Sequence, residues 1–249
     1  MSSKQIVYGL HAVQALLDKE ADSISAIWFD KARHDKRMQA VIGLAKRAGL
    51  TIHKVDKEEL DHLTGNAQHQ GVVAESMLSG VWDESRLMSR LDELDEPPFL
   101  LVLDGVTDPH NLGACLRSAD GAGVHAVIAP KDNACSLTGT VRKVASGAAE
   151  SVPFVQVTNL ARTLGKLKDR GIWLVGTTGN ADQNLYQQDL KGPLAIVMGA
   201  EGQGMRRLTT EACDFLVSLP MLGKVESLNV SVTTGICLYE AVRQRSTGK

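Results

Sequence analysis

The sequence predicts an α/β protein in two parts: a small amino-terminal α/β domain, then a larger one built on a mostly parallel sheet flanked by helices. Three observations carry this. Helical and strand patterns alternate along the chain, the arrangement that layers into α/β folds. An acidic stretch ending in Pro97-Pro98 interrupts the alternation. Beyond it, continuous apolar runs such as Phe99–Leu103 and Leu194–Met198 suit strands buried on both faces.

The elements follow in order. Gly9–Leu17 places Leu10, Val13, Leu16 and Leu17 on one helix face. Ile24–Phe29 reads as a strand, Lys36–Ala48 as a helix, Leu50–Val55 as a strand, Lys57–Leu63 as a short helix and Gly71–Glu75 as a strand. These complete a domain over residues 1–76. Residues 77–98 carry two basic and six acidic groups and read as a solvated linker with one or two helical turns. In the second domain, residues 99–249, the strand Phe99–Leu103 leads to Pro109, which suits a first helical turn, and on to a helix over Leu112–Ala122. Val124–Ala129, Phe154–Val157, Ile172–Gly176, Leu194–Met198 and Phe215–Leu219 are further strands, with helices between them. A last helix runs from about Leu228 to Arg245, its apolar face drawn through Leu228, Val232, Ile236, Tyr239 and Val242.

Composition excludes several classes. At 43% hydrophobic, 22% charged and net charge −2, the 249 residues cannot be a disordered chain. No apolar run reaches the roughly 18–20 residues of a membrane span, and the opening MSSKQIVYGLHAV lacks a secretory pattern. The four cysteines, at 115, 135, 213 and 237, form no CxxC pair, so reduced thiols, no metal site and a cytoplasmic location are expected. Neither domain is strongly basic, and aromatics are 4% of the chain, which argues against base stacking on an aromatic platform. Lys31, Arg33, Lys36 and Arg37 form a candidate phosphate-contacting cluster, with a plain solvated helix face the equal alternative.

Three strand ends carry residues that a plain core does not require. In DGVTDPHNLGACLR, Asn111 and Arg117 lie on the first turns of a helix, six residues and some 120° apart. Asp108 there reads as the helix cap. In Met198-Gly199-Ala200-Glu201-Gly202-Gln203-Gly204-Met205, three glycines allow a sharp turn or a close backbone approach to a ligand, and Glu201 has little packing purpose. The order is neither GxGxxG nor a P-loop. In LPMLGKVESLNVS, Ser227 reads as a helix cap, leaving Asn229 one step inside, where capping gives it nothing.

Together the three segments resemble the motifs of the SpoU-type (TrmH-like) class of SPOUT RNA 2′-O-methyltransferases: DGVTDPHNLGACLRSADGAG the first, IVMGAEGQGM the second and LPMLGKVESLNVSVTTGICLYE the third. YGLHAVQALL and His69-Gln70-Gly71 resemble the ribosomal protein L30-like RNA-binding domain of several members. The resemblance implies a SPOUT catalytic domain with a deep carboxyl-terminal trefoil knot, and a homodimer. It also implies S-adenosylmethionine as methyl donor to the ribose 2′-hydroxyl of a guanosine in 23S rRNA, with residues 1–76 choosing the substrate. By motif position, Met198, Gly199, Gly202, Leu219, Met221 and Leu228 would contact the cofactor. Arg117, Asn111, Glu201, Ser227 and Asn229 would serve the reaction. A guanidinium is a poor base, so Arg117 is expected to orient a phosphate and stabilise developing alkoxide, its role as literal base staying open. A tRNA ribose methyltransferase and a catalytically silent rRNA-binding protein are the competing readings.

Overall fold

The computed structural model describes residues 5–76 and 81–246, which divide into two compact units. In the first, β1 (Gln5–Tyr8), α1 (Leu10–Glu20), β2 (Ile24–Asp30), α2 (Lys36–Arg47), β3 (Ile52–Val55), α3 (Lys57–Thr64) and β4 (Val72–Ser76) follow the expected alternation, with β1 an unforeseen edge strand. The sheet order is β1-β4-β2-β3, with β4 antiparallel to both neighbours and β2 parallel to β3. Val13, Leu16, Ile27, Phe29 and Met38 fill the core between α1, α2 and the sheet. Gln70, held at φ 53°, accepts the Leu10 backbone N–H at 3.1 Å through Oε1 and so caps α1. Buried His69 accepts the Gly71 N–H through Nδ1 and pairs with Asp61 through Nε2, each at 3.0 Å. The two amino-terminal motifs therefore meet as one structural joint.

The second unit starts earlier than expected. Residues 84–92 form α4 (Glu84–Asp92), and its Leu87 and Leu91 are buried among Leu100, Val155 and Leu164. Trp82 bridges the backbone of the strand at Val155, and Glu84 accepts from Thr163 at 2.6 Å and from Lys166. The solvated linker is thus corrected from residue 81 onward: leucines at helical spacing pack inward, and of the acidic groups Glu84 is bonded to α8 while Asp83, Asp92, Glu93, Asp95 and Glu96 are exposed. Residues 77–80 lie outside the described chain.

Then come β5 (Phe99–Asp104), α5 (Pro109–Gly121), β6 (Ala126–Pro130), α6 (Gly139–Ala145), α7 (Ala148–Ser151), β7 (Phe154–Val157), α8 (Leu160–Asp169), β8 (Trp173–Thr177), β9 (Gln183–Asn184), β10 (Leu194–Gly199), α9 (Arg207–Ala212), β11 (Phe215–Ser218) and α10 (Val230–Ser246). The sheet is parallel throughout, in the order β7-β6-β5-β10-β8-β11-β9. Residues 137–151, with α6 and α7, belong to the first unit, against α1 and β1. Within the segment the buried Arg142–Glu150 pair, 2.5 Å apart, ties α6 to α7, and the Tyr8 ring of β1 packs against Gly139. The domain boundary drawn at Pro98 therefore misses this excursion.

On α10 the expected apolar face is also corrected. Val230, Cys237, Leu238 and Ala241 are buried, whereas Val232 and Tyr239 are about half exposed. The helix carries apolar residues on several sides, so periodicity alone cannot choose the packed one. Contact with α5 chooses it, with Thr234 buried against Cys115.

Candidate active site

The site forms at the carboxyl ends of β5, β8, β10 and β11, where loops leave a parallel sheet and ligands ordinarily bind. After β10 the backbone closes on itself: Ala200 N–H donates to Gly204 O at 3.0 Å and Gly204 N–H to Ala200 O at 2.8 Å. Gly202 and Gly204 sit at φ 77° and 68°. Gly199 packs so tightly that a Cβ would fall inside the backbone of Gly204 and Met205.

This turn walls a cavity of about 260 Å³. Met198, Gly199, Gly202, Leu219, Met221 and Leu228, all named from sequence as cofactor contacts, line it. So do Thr177, Thr178, Ser218, Thr233 and Cys237, which sequence reasoning missed. Thr177 ends and Thr178 follows a strand that no motif marks, and only sheet order brings β8 beside β10. Burial pushes the Cys237 thiol up to about 12, so it lines the cavity as a neutral apolar group.

The reaction residues divide. Asn111 Nδ2 donates to Glu201 Oε2 at 3.4 Å, and Asn229 Nδ2 donates to Asn111 Oδ1 at 3.0 Å. Asn229 Oδ1 in turn accepts from Ser231 N–H at 2.9 Å and Ser231 Oγ at 2.6 Å. One chain of hydrogen bonds therefore joins all three motifs. It also corrects the expectation for Asn229: α10 begins at Val230, so Asn229 is itself the cap, and its amide still reaches motif one. Ser227 lines the cavity. Arg117 is not brought to this cluster; it is exposed, lines neither this cavity nor the one beside it, and makes no hydrogen bond or ion pair among the described residues.

Adjoining the first cavity is a second, polar one of about 420 Å³. Asp104, Asp108, Asn111, Asn133, Glu201 and Arg206 line it. Asp108 caps α5, accepting from Asn111 N–H at 2.8 Å. The fully buried Asp104 carboxylate accepts the Arg206 backbone N–H at 2.8 Å and lies 3.6 Å from its guanidinium. Among the described residues no three His, Cys, Asp or Glu side chains group as a metal ion would require.

Comparison with known proteins settles the lineage. The SpoU rRNA Methylase family model matches residues 98–239, and the model for RNA 2′-O ribose methyltransferase substrate binding matches residues 6–77. This chain belongs to the SpoU rRNA methylase family. SpoU relatives include the 23S rRNA (guanosine-2′-O-)-methyltransferase RlmB of Pseudomonas putida, 57% identical over 98% of each chain. The protein of that name from Escherichia coli K12 is 55% identical over 97% of this chain and 99% of its own. Among solved structures, an RNA 2′-O ribose methyltransferase superposes with a TM-score of 0.79 at 29% identity, covering 98% of this chain and 90% of that one. The SpoU methyltransferase AviRb from Streptomyces viridochromogenes, in complex with AdoMet, shares the fold with a TM-score of 0.83 at 24% identity, over 98% of this chain and 92% of its own.

Proposed function

We propose that this SpoU-family protein transfers a methyl group from S-adenosylmethionine to the ribose 2′-hydroxyl of a guanosine in 23S rRNA. The observation that carries the reading is the hydrogen-bonded chain Glu201–Asn111–Asn229–Ser231, which joins three motifs beside an apolar cavity. The relatives' names, at 55–57% identity over nearly the whole chain, supply the substrate class.

The cavity suits the cofactor. Met198, Leu219, Met221 and Leu228 offer apolar surface for an adenine and a methionine chain, and the Gly199–Gly204 backbone offers close polar groups. When bound, S-adenosylmethionine supplies an electrophilic methyl. The chain's own groups do the rest. Asn111, fixed from both sides by Glu201 and Asn229, presents its amide in a set orientation for the ribose. Arg117, exposed, without a partner among the described residues and outside both cavities of its own chain, is free to take an RNA phosphate, and in this reading it serves the developing alkoxide across the subunit boundary of the homodimer.

Residues 1–76 choose the substrate in this reading. Of the basic cluster, Lys31 pairs with Asp56 and Arg33 with Asp35, which leaves Lys36 and Arg37, exposed at the start of α2, for phosphate contact. A homodimer belongs to the same reading, supported by Val232 and Tyr239, each about half exposed on α10, and by Leu222, almost wholly exposed. The knotted return of residues 219–229 is part of it too, supported by β10 lying between β5 and β8. No helix of the described residues is long and apolar enough to cross a membrane. Mapping 2′-O-methyl groups on rRNA and tRNA from cells with and without the protein tests the reading. Loss of one guanosine methyl in 23S rRNA is expected; loss confined to tRNA would overturn it.

A further inference from the structure

The polar cavity beside the cofactor cavity has a donor and acceptor pattern of its own. Asp104, Asp108 and Glu201 bring three carboxylates to it against the single cation Arg206. That balance repels a phosphate. It suits a ligand edge rich in N–H donors with one acceptor beside them. Asp108 spends Oδ1 on its helix cap, and no hydrogen bond or ion pair holds Oδ2. Asp104 is wholly buried, and its Oδ1 has no hydrogen-bond partner, with Arg206 Nε the nearest cation at 3.6 Å. A buried carboxylate oxygen left in that state, on the wall of a cavity, marks a site built to hold something polar. Its charge, 3.6 Å from Arg206 Nε, also draws that guanidinium to the cavity.

We propose that this cavity receives the target base and reads it as guanine. Asp108 accepts from the 2-amino group through Oδ2 and from N1–H through the lone pair of Oδ1 that the cap leaves over, and Arg206 donates to O6. Among the four bases, guanine alone shows two adjacent edge donors beside a carbonyl acceptor. Adenine, cytosine and uracil would each leave the carboxylate short of a donor or the guanidinium short of an acceptor, a mismatch that becomes costly once a base covers the pair. The cavity shares Ala200, Glu201, Gly204 and Val230 with the cofactor cavity, and Asn111 lines it. A base seated there holds its ribose at the junction where the amide network lies. The inference rests on the methyl-transfer reading and names the specificity residues of that site.

Inosine differs from guanosine only in lacking the 2-amino group, so it isolates the contact to Asp108. The test measures single-turnover transfer to a 23S rRNA fragment carrying guanosine or inosine at the methylated position. The wild-type protein is expected to prefer guanosine roughly 10- to 100-fold, the range of one good edge contact. Asp108→Asn and Asp108→Ser both keep a capping side chain. Each is expected to bring that preference close to one, with cofactor affinity and melting temperature unchanged. Variants that keep the wild-type preference, or a wild-type protein indifferent to the 2-amino group, would overturn the inference while leaving methyl transfer intact. Absence of transfer by the wild-type protein to either RNA would overturn the proposed function, and this inference with it.

Discussion

Asn229 donates its amide to Asn111 Oδ1 at 3.0 Å, across 118 residues of sequence. The bond ties the entrance of α10 to the first turn of α5, and Glu201 holds the other side of Asn111. Because the pair sets geometry rather than cofactor affinity, Asn229→Ala is expected to slow transfer by about 10²-fold, the order of loss from a 1 Å misplacement. Cofactor binding measured by calorimetry should change little. A variant that transfers at the wild-type rate would show that the network does not position the reacting ribose.

Gly199 has no room for a side chain, since a Cβ would overlap the Gly204 and Met205 backbone. Gly199→Ala must open the 200–204 turn, at about 1–3 kcal/mol. The expected result is a lower melting temperature and cofactor affinity reduced at least about tenfold, as 1.4 kcal/mol of lost binding would give. Calorimetry and a thermal melt on one preparation check both.

Arg117 is exposed and unpaired among the described residues, so Arg117→Ala should leave stability within about 0.5 kcal/mol. Transfer should fall roughly 10²–10³-fold, as on loss of one oxyanion donor, with cofactor binding retained. Arg117→Lys keeps the charge but not the planar fork and should recover part of the rate. Near-normal transfer by a folded Arg117→Ala protein would remove the residue from the mechanism.

Arg142 and Glu150 form a buried pair 2.5 Å apart, with side chains 2% and 0% exposed. Arg142→Ala removes the cation beside the buried carboxylate and is expected to cost about 3–5 kcal/mol. Chemical denaturation should show the transition of the first unit move to lower denaturant. An unmoved midpoint would mean that the pair adds nothing to docking residues 137–151.

Burial, the largest cause in each case, raises the thiols of Cys115 to about 11 and of Cys213 and Cys237 to about 12, from an ordinary 9.0. At pH 8 these thiols are protonated, and alkylation should reach the half-buried Cys135 well before the buried Cys115 and Cys237. Their neutral form favours the native state. The contribution is therefore whole below about pH 9 and is lost as pH rises through 11 to 12. Denaturation midpoints across pH 8–11 should fall, and less steeply in Cys237→Ala.

The sequence by itself determined the elements whose signal is local. The helix read over Lys36–Ala48 forms as Lys36–Arg47, and the continuous apolar runs Phe99–Leu103 and Leu194–Met198 form buried strands one residue longer. The motif residues were legible because glycine turns, proline at a first helical turn and side chains without a packing role stand out one position at a time. Tertiary structure alone decided three other things. Leu87 and Leu91 turn the acidic segment into part of the second core, since burial needs a surface that charge counting does not see. Residues 137–151 join the first unit because α6 and α7 pack on α1 and β1, where Gly139 accommodates Tyr8. The sheet order sets β10 between β5 and β8, so Thr177 and Thr178 reach the cavity, and Asp104 meets Arg206 across 102 residues. Pairings of such separation carry no local signal: periodicity reports which face a residue takes, and only the packed chain decides which face it meets.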